Sequence, residues 1–352
     1  MTNQAVSSQD IILDCSHMGR RTTGIERITR ELFSDESLAN TSIVRVEAGS
    51  VAGMIFQQWF GILFTALKEK NAVIITPGFP PSMLLSVLFG KRLIPYIHDV
   101  FLLTRPDELN VRAKYYMRPS FYVAVKHLRL FFVNSLKTSK DLQQFCRPDA
   151  RIVLFRPEVS NVFGLDADLQ RYRQTDLNKL KIVMLGTLEP RKNYSGAIRL
   201  FQALQARLGQ EIELHIIGRL GWGPEAEKLS NIPGIICHGY LEKHDIKALV
   251  QLATFYLSTS HDEGLGLPLL ELQYSGIAVV ASDIDVFSEV LADSGVLIDV
   301  AAPESAADKI IRYFSDRQWL QAQPQKALDN IQRWNTLATQ DKKHVLACLK
   351  GQ

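Results

Sequence analysis

Glu263 and Glu271 stand eight residues apart in the segment 258–274, STSHDEGLGLPLLELQY. Between them Gly264, Gly266 and Pro268 mark the start of a helix, where unpaired backbone amides and the helix dipole favour an anion. Glu271 then falls about one helical turn in, where its two carboxylate oxygens can take the hydroxyls of a diol. A second group, Gly186, Thr187, Arg191, Lys192 and Asn193 in GTLEPRKN, sets two adjacent cations beside a small-residue turn, which suits a diphosphate. Gly218, Gly221 and Gly223 in GRLGWG either let a ligand approach the backbone or form a simple turn. Gly239, Tyr240 and Leu241 in HGYLEKHDIKAL end a fourth segment, with Tyr240 able to rest against a base. One pair of glutamates at this spacing is also what a charged helix face produces. Four loops in strand order that all suit one nucleotide say more.

These residues need elements to hold them. Short β-branched and aromatic runs at 11–14, 43–46, 73–75, 93–97, 130–133 and 152–155 predict six strands, and runs at 182–185, 212–217, 235–237, 254–257, 278–281 and 296–298 predict six more. Such runs are covered on both faces, and their alternation with helix-permissive segments implies crossover connections, parallel sheets and two doubly wound α/β domains. Ligands bind beyond the carboxyl ends of strands in these sheets, which is where all four loops fall. The polar, strand-poor stretch 164–179 is the expected linker between a domain at 1–168 and another at 178–325, with a helical closing segment at 326–352 that could pack on either, a return to the N-terminal domain being the expectation. The apolar stretch 51–67 is interrupted by Gln57 and Gln58 and falls short of the roughly 20 apolar residues that a membrane span needs. It predicts a buried helix, with a membrane-surface helix as the alternative.

From about 181 to 310 the chain resembles family 4 of the retaining glycosyltransferases, whose two glutamates separated by seven residues are matched here by Glu263-GLGLPLL-Glu271. GTLEPRKN and SGIAVVASDIDVFSEVLADSGVLID also resemble the family. The resemblance implies the GT-B architecture, two Rossmann-like doubly wound domains facing a cleft, the N-terminal one for the acceptor and the C-terminal one for a nucleotide sugar. It implies that Arg191 and Lys192, beside Gly186, Thr187 and Gly218, hold the donor diphosphate and stabilise it as leaving group in place of a metal. Glu263 and the amides of Gly264, Leu265, Gly266 and Leu267 would face the donor sugar and phosphate, Glu271 would take the ribose, and Tyr240 and Leu241 would border the base. In the first half, Gly24 in HMGRRTTGIERI resembles the family's phosphate-contacting loop, although the family's paired glycines are replaced by Gly19 and a separate Thr23-Gly24; a basic surface loop is the alternative. PYIHDV resembles the family's histidine-aspartate step and sets His98 near the reacting sugar with Asp99 orienting the loop, a structural histidine being the alternative. With no nucleophile evident for the sugar's far face, front-side displacement is expected, its catalytic content being positioning and charge stabilisation. Asp283-Ile-Asp285 resembles a metal-binding pair but follows the eleventh strand in an ordinary loop, so no metal and no cofactor are expected.

The composition sets limits. A chain of 352 residues with 46% hydrophobic and 22% charged residues fits two globular domains and excludes disordered, collagen-like and multi-spanning proteins. A net charge of +3, from 40 basic and 37 acidic residues, excludes a dedicated nucleic-acid binder. Cys15, Cys146, Cys237 and Cys348 lie too far apart for a metal or disulfide framework and fit reduced thiols of a cytosolic protein, and the polar first ten residues lack a secretory signal. Residues 105–140 carry a local charge of +6 with Tyr115, Tyr116, Phe121 and Tyr122 interleaved. This stretch fits a solvated face, an anionic membrane surface or lipid-diphosphate acceptor, or, on composition alone, a single nucleic-acid strand. The resulting expectation is a metal-independent retaining hexosyltransferase of bacterial surface polysaccharide (O-antigen) synthesis, cytoplasmic or peripheral on the inner membrane. Its donor would be GDP-mannose, with dTDP- and UDP-sugars and rhamnosyl transfer left open, and its acceptor an oligosaccharide or polyprenyl-diphosphate-linked glycan. The alternatives are a sugar-nucleotide epimerase or hydrolase of the same fold and a non-catalytic sugar-nucleotide-binding scaffold.

Overall fold

The computed structural model describes residues 10–19, 24–38, 41–165, 177–209, 211–219, 221, 229 and 232–351. The twelve expected strands all form, shifted at their ends by a residue or so: β1 Ile11–Cys15, β2 Ile43–Glu47, β3 Val73–Thr76, β4 Leu93–Ile97, β5 Leu130–Val133, β6 Arg151–Leu154, β7 Lys181–Leu185, β8 Glu213–Ile217, β9 Ile235–Gly239, β10 Phe255–Ser258, β11 Ala278–Ser282 and β12 Val296–Ile298. They build two six-stranded parallel sheets, ordered β2-β1-β3-β4-β5-β6 and β12-β11-β10-β7-β8-β9. The central strands β1, β3, β4, β5, β10 and β11 are buried along their whole length, which is why apolar residues follow one another without alternation, broken only near the carboxyl ends by Asp14, Thr76, Ser258 and Ser282.

The chain divides into two compact units, Met1–Pro157 with Leu337–Gln352 and Glu158–Thr336. Of the expected linker, residues 166–176 lie outside the described residues. The closing helix Arg317–Lys350 supplies both units, and within the first its Asp341 accepts a 2.8 Å ion-paired hydrogen bond from the buried Arg156. In the second unit the helices Tyr194–Leu208 and Pro303–Ser315 cover one sheet face, burying Leu200, Phe201, Leu204, Ile310 and Phe314 against β7, β8 and β10.

One expectation is corrected in the first unit. Residues 51–68 form a continuous helix, Val51–Phe56, a π-helical turn Gln57–Gly61 and Ile62–Lys68, but it is not a buried one: only Met54, Gln58, Ile62 and Ala66 are buried, and Phe56, Phe60, Phe64 and Leu67 stand on the exposed side. The segment is apolar on both sides while the sheet covers only one.

Candidate functional site

The four glycine-rich loops of the second unit meet at the carboxyl edge of adjacent strands, because the sheet order β10-β7-β8-β9 makes neighbours of strands that are distant in sequence. Backbone bonds join them. Leu188 N donates to Arg219 O at 2.9 Å and Gly221 N to Leu188 O at 3.1 Å, linking the loops after β7 and β8. Gly218 N donates to Gly239 O at 2.9 Å, linking the loops after β8 and β9. Gly218 is required by this approach: a Cβ there would stand 1.7 Å from Gly186 O. Gly223 of the same segment lies outside the described residues.

The loop after β7 runs through a 3-10 turn, Pro190–Lys192, to Asn193, whose left-handed backbone (φ 53°) reverses the chain while its side chain caps the helix Tyr194–Leu208 by accepting from Gly196 N at 3.0 Å. The loop after β10 is fastened to it: His261 N donates to Arg191 O at 2.8 Å, and Thr259 Oγ1 lies 3.0 Å from both Lys192 O and Asn193 O. These contacts aim two cations at one carboxylate. Arg191 Nη1 meets Glu263 Oε2 and Lys192 Nζ meets Glu263 Oε1, each at 2.5 Å, while Ser260 Oγ donates to Glu263 Oε1 at 2.8 Å. Arg191 also pairs with Glu189 at 2.5 Å.

Glu263 is buried, and burial by itself would push its carboxyl up. Lys192, Arg191 and the hydrogen bonds from Lys192 and Ser260 together outweigh that and hold it at about 2, so it is ionised throughout the physiological range. The two cations remain partly open, with side-chain exposures of 25% for Arg191 and 17% for Lys192. The cluster can therefore bind a second anion, a diphosphate above all.

Beyond Glu263 the chain turns through Gly264 and Leu265 to Gly266, whose φ of 83° suits glycine, and the helix Leu267–Tyr274 follows with Pro268 in its first turn. Glu271 sits buried on this helix, four residues beyond Leu267. On the other flank Tyr240 is exposed and Arg219 stacks its guanidinium 4.6 Å from the ring centroid; Leu241 and Gly218 are half-buried nearby in sequence, and Thr187 is exposed. A cavity of about 390 Å³ borders the cluster on the side of Asn193, Thr259, Ser260 and His261, reaching Arg199, Asp283 and Asp299. Among the described residues no group of three or more His, Cys, Asp or Glu could hold a metal ion.

His98 and Gly24 belong to the first unit. His98 follows β4, and its Nε2 lies 2.7 Å from Pro77 O. A carbonyl only accepts, so Nε2 carries the proton; burial lowers the imidazole to about 4 despite this bond, leaving it neutral at pH 7. Its own carbonyl accepts from Asn134 Nδ2 at 2.8 Å. Gly24 opens the helix Gly24–Leu32, and residues 20–23 before it lie outside the described residues. Asp99 accepts from Phe101 N at 3.1 Å, tying the turn after β4.

Several contributors escaped the sequence: Glu189, Thr259 and Ser260 around the cations, Arg219 over Tyr240, and in the first unit Asn134 beside His98. All follow or end a strand, and that position is the signal that could have found them.

Residues 168–332 match the model of the family described as glycosyl transferases group 1. The chain is 25% identical over 264 residues to the O-antigen chain mannosyltransferase B of Escherichia coli, covering 71% of this chain and 69% of that protein. It is 25% identical over 376 residues to the serotype-specific mannosyltransferase WbdA of Escherichia coli, covering 94% of this chain and 45% of that protein, so it spans less than half the length of this relative. The structure of Anabaena HepE in complex with UDP and glucose superposes with a TM-score of 0.69 at 14% identity, covering 98% of this chain and 100% of that one, which shows the shared GT-B fold.

Proposed function

We propose, from the match of residues 168–332 to glycosyl transferases group 1, that the chain is a glycosyltransferase that transfers a hexose, mannose before rhamnose, with retention and without a metal. The donor would be a nucleotide sugar, GDP-mannose first among GDP-, UDP- and dTDP-sugars. The acceptor would be a glycan or polyprenyl-diphosphate-linked glycan of a bacterial surface polysaccharide such as an O-antigen, met at the cytoplasmic membrane face. The names of the mannosyltransferase relatives support the sugar and the polymer. In this assignment 178–325 takes the donor and 1–168 the acceptor, with His98 and Gly24 as the first domain's contacts to the sugar and phosphate.

The observation that carries the proposal is Glu263 held between Arg191 and Lys192 at the sheet edge. In the proposed step the bond from the anomeric carbon to the diphosphate oxygen breaks and a bond to the acceptor oxygen forms on the same face. The acceptor proton passes to the departing diphosphate. Arg191 and Lys192 stabilise the charge that gathers on that leaving group. Glu263, ionised down to about 2, cannot act as the proton donor at neutral pH; it orients the cations and presents a carboxylate to the sugar. Gly186, Thr187 and Gly218 would line the phosphates with the backbone of Gly264 to Leu267, Glu271 would take the ribose, and Tyr240 and Leu241 the base.

Saturation-transfer NMR against GDP-, UDP- and dTDP-sugars tests the donor, and proton NMR of the product tests the anomer. Selective binding of GDP-mannose that survives EDTA and fails in Arg191→Ala is expected. Binding abolished by EDTA overturns metal independence, an inverted anomer overturns retention, and binding of no nucleotide sugar favours the scaffold alternative.

A further inference from the structure

The first unit carries a surface that the transfer chemistry does not use. Three helical segments, 51–68, Met83–Leu88 and 113–127, pack on the same side of its sheet. Ile62 and Ala66 of the first, Leu85 of the second and Phe121, Ala124 and Val125 of the third are buried in a single apolar cluster with Ile12, Ile74 and Phe131 of the strands. Side chains that project the opposite way from these helices therefore share the outer surface of one layer.

That outer surface is apolar. Phe56, Phe60, Phe64 and Leu67 are each between 46% and 61% exposed, and Val87, Leu88, Tyr115 and Tyr122 are exposed beside them in the layer. The phenylalanines recur at every fourth position. In an uninterrupted α-helix four residues overshoot a turn by roughly 40°, so such a row would wind around the axis. The π-helical turn Gln57–Gly61 takes in an extra residue and keeps Phe56, Phe60 and Phe64 in line, opposite the buried row Met54, Gln58, Ile62 and Ala66. A second π-helical turn, Ala113–Met117, faces the first: Trp59 Nε1 donates to Tyr116 Oη at 3.2 Å, and Tyr116 Oη donates to Gln58 Oε1 at 3.0 Å. The row is thus braced by hydrogen bonds on its inner flank.

The charge on this layer has one sign. Residues 51–68, 83–88 and 109–127 contain no Asp or Glu, and the exposed Lys68, Arg112, Lys114, Arg118 and Lys126 are their Lys and Arg residues. A second copy meeting this face about a two-fold axis would set cations against cations. An anionic bilayer complements both features, since it offers a hydrocarbon boundary for the aromatic row and phosphates for the cations. Among the described residues no helix is long and apolar enough to cross a membrane, so the contact is with the surface.

We propose that this face of the first unit docks on an anionic lipid bilayer, Phe56, Phe60 and Phe64 entering the headgroup boundary and Arg112, Lys114 and Arg118 meeting lipid phosphates. The inference deepens the proposed function, on which it rests only for the reason such a surface would be useful: a lipid-linked acceptor lies there. The test is flotation of the full chain with phosphatidylcholine vesicles, with and without phosphatidylglycerol. The protein is expected to float with the anionic vesicles, and the bound fraction to fall roughly tenfold or more in the triple variant Phe56→Ser, Phe60→Ser, Phe64→Ser, with an unchanged melting temperature. Replacing Arg112, Lys114 and Arg118 by glutamine should remove the preference for anionic over neutral vesicles. No flotation of the parent chain, equal flotation of the triple variant, or a dimer that the triple variant dissolves each overturns the proposal. Transfer to a water-soluble acceptor fragment, measured in parallel, should be the same in the parent and the triple variant; absence of transfer in both, with flotation intact, sinks the proposed function and leaves the docking surface standing.

Discussion

The two sheets share strand number and parallel sense, yet their carboxyl edges hold opposite kinds of chemistry. At the edge of the second, two carboxylates and two cations meet within salt-bridge distance, and the cations overcome the effect of burial on Glu263. At the edge of the first, burial wins. It pushes the Asp14 carboxyl up against the hydrogen bonds from Ser16, and it lowers His98 to about 4 despite the Pro77 carbonyl, in both cases against the charged form. The fold decides where ligands approach; the side chains decide whether an edge suits a diphosphate or the hydroxyls of a sugar.

If the charged edge is the one that handles the leaving group, breaking it gives the largest effect. Glu263→Ala strands Arg191 and Lys192 without their shared partner, and kcat/KM should fall by about 10² to 10³. Removing one member of a buried ion pair should also cost on the order of 3 kcal/mol, read as a lower melting temperature. Arg191→Ala should lose a similar factor, and the double variant little more than either alone, because the groups act as a unit. Independent, additive losses would separate the two residues and break the contrast drawn here.

The edges also differ in when they respond to acid. His98 is depressed from 6.5 to about 4, so between these values the unfolded chain binds the proton more readily, and the stability that His98 contributes above pH 6.5 is lost as pH falls toward 4. Glu263 is depressed from 4.5 to about 2, so its contribution persists below pH 6 and is lost only as pH falls from 4.5 toward 2. Unfolding followed across pH should show the upper window missing in His98→Asn and the lower one missing in Glu263→Gln. Proton NMR that finds His98 titrating near 6.5 would refute the neutral edge.

How far the sequence alone could see follows the same division. The strands were legible because full burial leaves unbroken apolar runs, and the Arg191, Lys192 and Glu263 loops because glycines and charges punctuate the ends of those runs. Which loops touch was not legible: β7 lies between β10 and β8, and only that order brings Thr259 to Lys192 and His261 to Arg191. The left-handed turn at Asn193 and the clash that excludes a side chain at Gly218 are likewise products of tertiary approach. The helix at 51–68 misled because apolar residues occupy both of its sides, and no pattern within it says which side the sheet covers.

Smaller substitutions sharpen the picture of the charged edge. Ser260→Ala removes one of the bonds to Glu263 Oε1 but leaves both cations, so it should cost roughly 1 to 2 kcal/mol of stability and far less activity than Glu263→Ala. A loss as large as that of Glu263→Ala would mean that Ser260, rather than the cations, sets the carboxylate.

The smallest effect is expected where the second edge gives way to solvent. Arg219 stacks on Tyr240 at 4.6 Å, and Tyr240 is 58% exposed, so the pair is worth about 0.5 to 1 kcal/mol at most. Arg219→Ala should therefore weaken donor affinity two- to fivefold if Tyr240 borders the base, through a ring left free to swing, with kcat nearly unchanged. Arg219→Lys keeps a cation but loses the flat stacking surface and should recover only part of the affinity. Tyr240→Phe should match the parent, since only the ring face is used. Titration of the nucleotide alone, without its sugar, isolates this flank: equal losses for the nucleoside diphosphate and the complete donor place the effect at the base end, whereas a loss seen only with the complete donor would move Arg219 to the sugar and redraw the boundary of the site.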